Sequence, residues 1–176
     1  ETIRIVHRHD PSHVIYEAQN VGSVREAVEQ AVKNKISLNG ADLVKADLSG
    51  ANLSKANLTK ANLSWSNLDG ANLTGANLAE ATLAEANLAG ADLAKADLTK
   101  ANLAKAFLAE ADLTKVDLTR ANLAWSYLSW ANLTKANLAG ADLAKADLSK
   151  ANLDDADLRG ACLRGTVLAQ TEPDSC

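Results

Sequence analysis

The stretch ANLAGADLAKADLTKANLAK, residues 86–105, decides the fold of this 176-residue chain because it repeats a five-residue unit four times. Leu stands at every fifth position from Leu38 to Leu168, which makes 27 consecutive units over residues 36–170. The position two before each Leu is Ala in 22 units, and the position directly before it is Asn or Asp in 21 units. An internal repeat of this regularity indicates a solenoid.

A period of five fits neither standard element. An α-helix turns about 100° per residue, so Leu at every fifth position would spiral around it and form no face. A strand alternates its faces, so consecutive Leu residues would point to opposite sides. A chain that turns a corner once per unit instead points Leu and the residue two before it inward, with Asn or Asp outward between them. By this register the inward core includes Leu73, Leu93, Leu113 and Leu133.

The pattern A-[D/N]-L-x-x resembles the pentapeptide repeat family, and the resemblance covers residues 36–170. No other common repeat combines this period with this residue pattern. The resemblance implies an all-β solenoid, a right-handed quadrilateral β-helix. With four units per coil, the 27 units make about seven coils. The apolar content of 47% with only 3% aromatic residues fits a narrow bore of one large and one small side chain per unit.

Residues 1–35 differ from the repeats and predict a cap of one β-hairpin and one α-helix. Thr2–Arg8 and His13–Ala18 are rich in Ile, Val and Tyr, and a turn sequence lies between them. Ser23 and Glu26 form a capping box ahead of an apolar stripe with helical spacing, which predicts a helix to about residue 34. We expect this stripe to cover the open end of the first coil. Residues 171–176 are a polar tail.

The candidate functional residues are exposed aromatic side chains. The repeats hold five of them, namely Trp65, Phe107, Trp125, Tyr127 and Trp130. Phe107 and Tyr127 are 20 residues apart in the outward slot, so they are predicted to stack in adjacent coils. Exposed aromatic residues on a polar rod indicate an interaction patch for a protein partner, with a homodimer contact as the other option. A ladder that only stiffens two coils is the structural alternative.

Two further groups have a structural interpretation. His7, His9 and His13 cluster near the hairpin turn, but no fourth ligand accompanies them, so no metal site is predicted. Cys162 and Cys176 are interpreted as two unpaired thiols, with a disulfide as the alternative that the sequence leaves open. The expected location is the cytoplasm, although a chain that begins with Glu1 leaves room for a removed leader.

Catalysis, cofactor binding and membrane insertion have no support in the sequence. There is no phosphate-binding loop, nucleophile elbow or paired-ligand motif, and no apolar run is long enough to span a bilayer. An isoelectric point near 5.4 disfavours direct nucleic-acid binding. The favoured function is therefore a non-enzymatic structural or protein-interaction module, without a cofactor and with an unknown protein partner.

The alternative function comes from a subset of the family, the quinolone-resistance proteins that resemble B-DNA and bind DNA gyrase and related type II topoisomerases. Members of that subset often place Phe at the central inward position, whereas each of the 27 units here has Leu. Residues 36–170 carry 13 basic against 15 acidic side chains, which is a weak negative field for a DNA mimic. We therefore predict no gyrase inhibition. Whether the regular repeat is natural or consensus-derived stays open from the sequence.

Overall fold

The computed structural model of the chain describes residues 1–168. Two antiparallel strands, β1 (Thr2–His7) and β2 (Asp10–Gln19), form a hairpin, and α1 (Val24–Lys33) follows. The sequence predicts the second strand from His13, whereas β2 begins at Asp10, because the strands continue to pair past a register irregularity near Val6. Within residues 1–168, no helix combines the length and hydropathy needed to cross a bilayer.

Local side-chain hydrogen bonds fix the start of α1. The hydroxyl of Ser23 accepts the backbone N–H of Glu26 at 3.1 Å, and the Glu26 carboxylate accepts the backbone N–H of Gly22 at 2.7 Å. These bonds satisfy backbone N–H groups at the start of the helix, which have no acceptor within the helix. The buried face of α1 consists of Ala27, Val28 and Ala31, which join one continuous apolar core with the repeats.

From residue 38 onward the backbone is a β-helix in which the outward-slot residues of one coil form parallel bridges with those 20 positions later. Parallel bridges run from Asp42 with Asn62 to Asp142 with Cys162, so four five-residue units complete one coil. In the unit 91–95, Leu93 and Lys95 donate their N–H groups to the next coil, while Asp92 donates to the previous coil, at 2.7–2.9 Å. The Leu residues fill the axis; Leu73, Leu93 and Leu133 are fully buried and Leu113 is 1% exposed.

Each coil turns its corners with a residue in the left-handed backbone region. All 26 corner positions from Gly40 to Gly165 have φ between +57° and +74°, and 18 of them are not glycine. The N–H that follows each corner closes the turn, as in the bond from Ala96 to the carbonyl of Leu93 at 3.0 Å. None of these corner residues is β-branched. That exclusion has a physical cause, since β-branched side chains tolerate positive φ least.

The outward slot before each Leu has a backbone function that the alternation of inward and outward residues does not reveal. In every one of the 21 units with Asn or Asp there, the side-chain Oδ1 accepts the N–H of the residue two positions later, at 2.9–3.4 Å. In the units between residues 61 and 145, this N–H is the one that no carbonyl accepts. The slot residue therefore completes the backbone hydrogen bonding of its unit.

Candidate functional site: an aromatic face on the rod

One side of the β-helix carries four of the five predicted aromatic residues. Trp125 lies at a corner, Tyr127 lies in the next outward slot, and Trp130 lies at the following corner. Phe107 occupies the slot one coil earlier and pairs with Tyr127 through a parallel bridge. All four side chains are 46–60% exposed. We call this set, Phe107, Trp125, Tyr127 and Trp130, the aromatic face.

Phe107 and Tyr127 form a stacked pair. Their ring centroids lie 4.9 Å apart and their planes differ by 5°, so each ring covers one face of the other. The separation matches the roughly 4.8 Å between neighbouring strands. The stacking that the sequence predicts for these two residues is therefore present in the structure.

Lysine side chains from the following coil cover the two tryptophans. Lys145 Nζ lies 4.2 Å from the centroid of the Trp125 ring, and Lys150 Nζ lies 4.3 Å from the centroid of the Trp130 ring. Each lysine occupies the same corner as its tryptophan, 20 residues later. A cation over an indole face at an exposed site contributes about 0.5–1 kcal/mol. The two contacts place one ammonium group at each edge of the aromatic face.

The aromatic face replaces stabilising residues of the repeat. Neither Phe107 nor Tyr127 can accept the N–H two positions later, so Ala109 and Ser129 lack the side-chain bond that the 21 Asn and Asp units have. A hydrogen bond of this kind contributes about 1 kcal/mol, and a stacked aromatic pair returns about 0.5–1.5 kcal/mol. The stacking therefore does not fully offset the two lost bonds.

The coil of the aromatic face has a second departure from the repeat. Ser126 occupies an inward position at 1% exposure, and its Oγ has no hydrogen-bond partner among the described residues. The equivalent Ser66 donates its hydroxyl to the carbonyl of Leu63 at 2.7 Å. An unsatisfied buried hydroxyl is destabilising by about 1–3 kcal/mol. The segment 125–130 is thus less favourable for folding than its Ala-Asn-Leu neighbours.

Trp65 does not join the aromatic face. It occupies the same corner column as Trp125, but Glu85 and Lys105 occupy the corners between them. Its ring is 55% exposed, and Lys45 Nζ lies 5.8 Å from its centroid. The structure therefore groups four of the five predicted residues and leaves Trp65 as a separate exposed side chain.

The charged groups around the aromatic face include three lysines and three acids, in the order of the chain Glu85, Lys105, Glu110, Lys145, Asp147 and Lys150. The ion pairs within 4.0 Å among residues 1–168 involve other side chains. The hydroxyl of Ser149, and after it the backbone N–H of the same residue, holds the pKa of the Asp147 carboxyl below its usual value. Asp147 is therefore ionised at neutral pH, and the segment 145–150 beside the aromatic face, with two lysines and one acid, has a net charge of +1.

The histidine cluster lies at the turn of the hairpin. The ring centroid of His7 is 5.8 Å from that of His9 and 5.6 Å from that of His13. The His7 ring also packs directly against Gly40, where a Cβ would clash with it. In the part of the chain that the structure describes, no group of three or more His, Cys, Asp or Glu side chains could hold a metal ion. Packing of the hairpin on the first corner is the structural role of His7.

The prediction of two unpaired thiols is wrong for Cys162, which is disulfide-bonded and not a free thiol. Cys176, its predicted alternative partner, and the remainder of the tail 171–176 lie outside the described residues. The expectation of free thiols rests only on the expected cytoplasmic location. Whether a cysteine can form a disulfide depends on the distance and direction to its partner, which the sequence does not give.

A comparison with models of protein families identifies the repeat. The model for pentapeptide repeats matches eight copies, over residues 36–75, 71–106, 96–134 and 131–168. The chain belongs to the pentapeptide repeat family. Its fold is accordingly a right-handed β-helix solenoid. A comparison with curated protein sequences gives no match.

Solved structures of other pentapeptide repeat proteins are similar to this chain. Rfr23 from the cyanobacterium Cyanothece 51142 is 38% identical over 52% of this chain and 63% of its own length, with a TM-score of 0.50. HetL from the cyanobacterium Nostoc sp. strain PCC 7120, a protein involved in the regulation of heterocyst differentiation, is 37% identical over 75% of this chain and 65% of its own length, with a TM-score of 0.45. The chain therefore spans slightly less than two thirds of the length of these two proteins.

The fluoroquinolone resistance protein QnrB1, which is plasmid-mediated, is a more distant match. It is 21% identical over 71% of this pentapeptide repeat chain and 78% of its own length, with a TM-score of 0.33. A match at this level carries no functional argument.

Proposed function

We propose that the chain is a non-enzymatic protein-interaction module that binds a protein partner through its aromatic face. The rod that presents this face is a quadrilateral β-helix of about seven coils, capped at its N-terminal end by the hairpin and α1. Pentapeptide repeat matches over residues 36–168 support a role as a repeat module. Repeat solenoids commonly bind partners through extended rigid surfaces.

The observation that carries the proposal is that exposed aromatic side chains stand where the repeat loses a stabilising hydrogen bond. Phe107 and Tyr127 are 46% and 47% exposed in slots where Asn or Asp would satisfy a backbone N–H. Exposed Trp125 and Trp130 flank Tyr127. Departures from local folding rules concentrate at functional sites, and aromatic residues are enriched where proteins bind one another. A ladder that only stiffened the rod would not require two further exposed tryptophans at the adjacent corners.

A selection of displayed peptides tests the proposal. A random peptide library is panned on the purified chain after depletion on the double variant Phe107→Asn, Tyr127→Asn. Because Asn restores both backbone acceptors, this variant is expected to fold at least as well as the parent chain. We expect peptides that bind the parent chain and the control variant Trp65→Lys, but not the double variant. Equal binding to the double variant would contradict the proposal.

A further inference from the structure

We infer that the occupant of the aromatic face is a short, extended acidic peptide segment with an apolar anchor residue. The inference rests on the proposed function and adds the chemistry of the partner. Three properties of the face support it, namely the covered ring faces, the unpaired lysines at its edges and its small size.

One face of each ring is already occupied, which disfavours ligands that bind by stacking. Phe107 and Tyr127 cover one another at 4.9 Å, and Lys145 and Lys150 cover one face of Trp125 and Trp130. Adjacent coils lie about 4.8 Å apart, which is too close to admit another ring between them. Nucleic-acid bases bind to exposed aromatic faces of proteins by stacking. The groups left for a ligand are therefore the ring edges and the ammonium groups.

These remaining groups favour an anionic partner. Aromatic ring edges carry partial positive charge, and the indole N–H is a hydrogen-bond donor. Lys145 and Lys150 hold full positive charges at the two edges of the face and form no ion pair within 4.0 Å among the described residues. Lys105 adds a third positive charge, but Glu85 and Glu110 lie in the coils around it and offset that charge. The edge of the face at residues 145–150, with two lysines and one acid, is thus locally positive on a chain whose net charge is -4.

The size of the face favours a short segment over a folded domain or a second copy. Four side chains form the face, whereas a stable interface between folded proteins uses roughly 20–30 residues on each side. In a symmetric pair of antiparallel rods with facing corner columns, Lys105 would oppose Lys145 of the other copy. In a parallel pair, Lys145 would oppose Lys150 of the other copy. Each arrangement also brings Glu110 opposite a lysine, Lys150 in the antiparallel pair and Lys105 in the parallel pair, so charge gives a second copy no net advantage. Carboxylates on a peptide would instead pair with both Lys145 and Lys150.

The test is a titration of the chain with synthetic peptides, in which the tryptophan fluorescence of the chain reports binding. The probe is a hexapeptide with a central Leu–Leu pair between two Glu–Glu pairs, and its counterparts carry Lys or Ser in place of Glu. We expect saturable binding of the acidic peptide, at least about tenfold tighter than that of the Ser peptide, and weaker at 0.5 M than at about 0.05 M NaCl because exposed charges are screened.

Two variants separate the contributions of charge and ring edges. Lys145→Gln with Lys150→Gln is expected to weaken acidic peptide binding about tenfold and to reduce its salt dependence. The matched control, Lys95→Gln with Lys115→Gln, removes the same charge from another corner column and should leave binding unchanged. The variant Phe107→Asn, Tyr127→Asn should lose binding while circular dichroism reports an intact fold.

Equal affinity for the acidic and Ser peptides, or an equal effect of the two lysine pairs, would overturn the inference. It would also be overturned by sedimentation data showing a dimer that the Phe107→Asn, Tyr127→Asn variant abolishes, or by binding of oligothymidylate or an oligosaccharide to the aromatic face. If selected peptides bind the face but are not acidic, the inference fails and the proposed function stands. If no peptide distinguishes the parent chain from the Phe107→Asn, Tyr127→Asn variant, both fail.

Discussion

At the scale of single residues, the repeat combines two side chains that fill the bore with one that completes the backbone. Leu and Ala are buried along the axis, and the Asn or Asp between them accepts an otherwise unsatisfied N–H. This dual requirement explains why Asn and Asp alternate freely in the slot, whereas other polar residues are rare there. The essential property is a carbonyl-type oxygen at a fixed reach, and the charge is incidental.

Replacement of Asn102 tests this account. Its Oδ1 accepts the N–H of Ala104 at 3.1 Å, so Asn102→Ala should reduce the free energy of unfolding by about 1 kcal/mol. Asn102→Asp keeps the acceptor and should be close to neutral. Urea denaturation measures the free energy of unfolding, and amide hydrogen exchange at Ala104 reports the local bond. Equal stability of the Ala and Asp variants would show that the slot has no backbone function.

Replacement of Gly90 tests the corner conformation. Its φ is +59°, and a Cβ added there would have no atom within 4 Å, so only backbone strain opposes a side chain. Gly90→Ala should destabilise the chain by about 1 kcal/mol. Gly22→Ala is the control, because Gly22 lacks a positive φ and its added Cβ would make an ordinary 3.7 Å contact. Thermal denaturation of the two variants should therefore give a lower midpoint for Gly90→Ala alone.

At the scale of elements, the hairpin and α1 supply partners that the first coil would otherwise lack. The carbonyl of Val6 in β1 accepts the N–H of Asp42, and the carboxylate of Glu29 in α1 accepts the N–H of Asn52, both within 2.8–2.9 Å. In later coils these N–H groups bond to the coil before them. The cap thus protects an exposed β-edge as well as covering the apolar bore.

Removal of the Glu29 carboxylate should open this edge. Glu29→Ala leaves the N–H of Asn52 without its acceptor at 2.8 Å, so we expect a loss of about 1–3 kcal/mol because the bond is charge-assisted. Glu29→Gln keeps an acceptor and should lose less. Hydrogen exchange should accelerate at Asn52 and leave the coils around Leu113 unaffected. A uniform change along the whole rod would contradict the local role of this bond.

At the scale of the whole molecule, the rod has a mixed surface charge. Lys95, Lys115 and Lys135 occupy successive levels of one corner column, and Lys60 pairs with Glu80 at 3.8 Å in another. A DNA mimic requires a strong and continuous negative field to compete for a DNA-binding surface. The regular positive columns of this rod interrupt such a field.

The chain should therefore leave DNA gyrase active. In a supercoiling assay with purified gyrase and relaxed plasmid, we expect no inhibition at equimolar or tenfold excess of the chain. A fluoroquinolone resistance protein of the same family serves as the positive control. Potent inhibition by this chain would overturn the prediction and would favour the quinolone-resistance alternative.

The extent to which sequence predicts this protein differs between its features. The unbroken Leu series predicts the family and the β-helix, because a period of five allows few folds. The stacking of Phe107 on Tyr127 follows from their separation of 20 residues. The lysine contacts with Trp125 and Trp130 follow from the same spacing, but their occurrence depends on side-chain rotamers. The backbone role of Asn and Asp was detectable from their turn propensity, and the bonding state of Cys162 was not detectable from spacing.

Because hydrogen-bonded bridges link residues 20 apart, the position of a residue in the sequence determines the direction in which it faces around the axis of the rod. Four units complete one turn, so each unit corresponds to a quarter turn about the axis as well as a small step along it. Removal of one complete unit between α1 and Phe107 would leave the aromatic face chemically unchanged and rotate it by a quarter turn relative to α1. In such a solenoid, the number of units between two surface features encodes their relative direction. Changes in length can therefore reorient a binding surface without changing any residue within it.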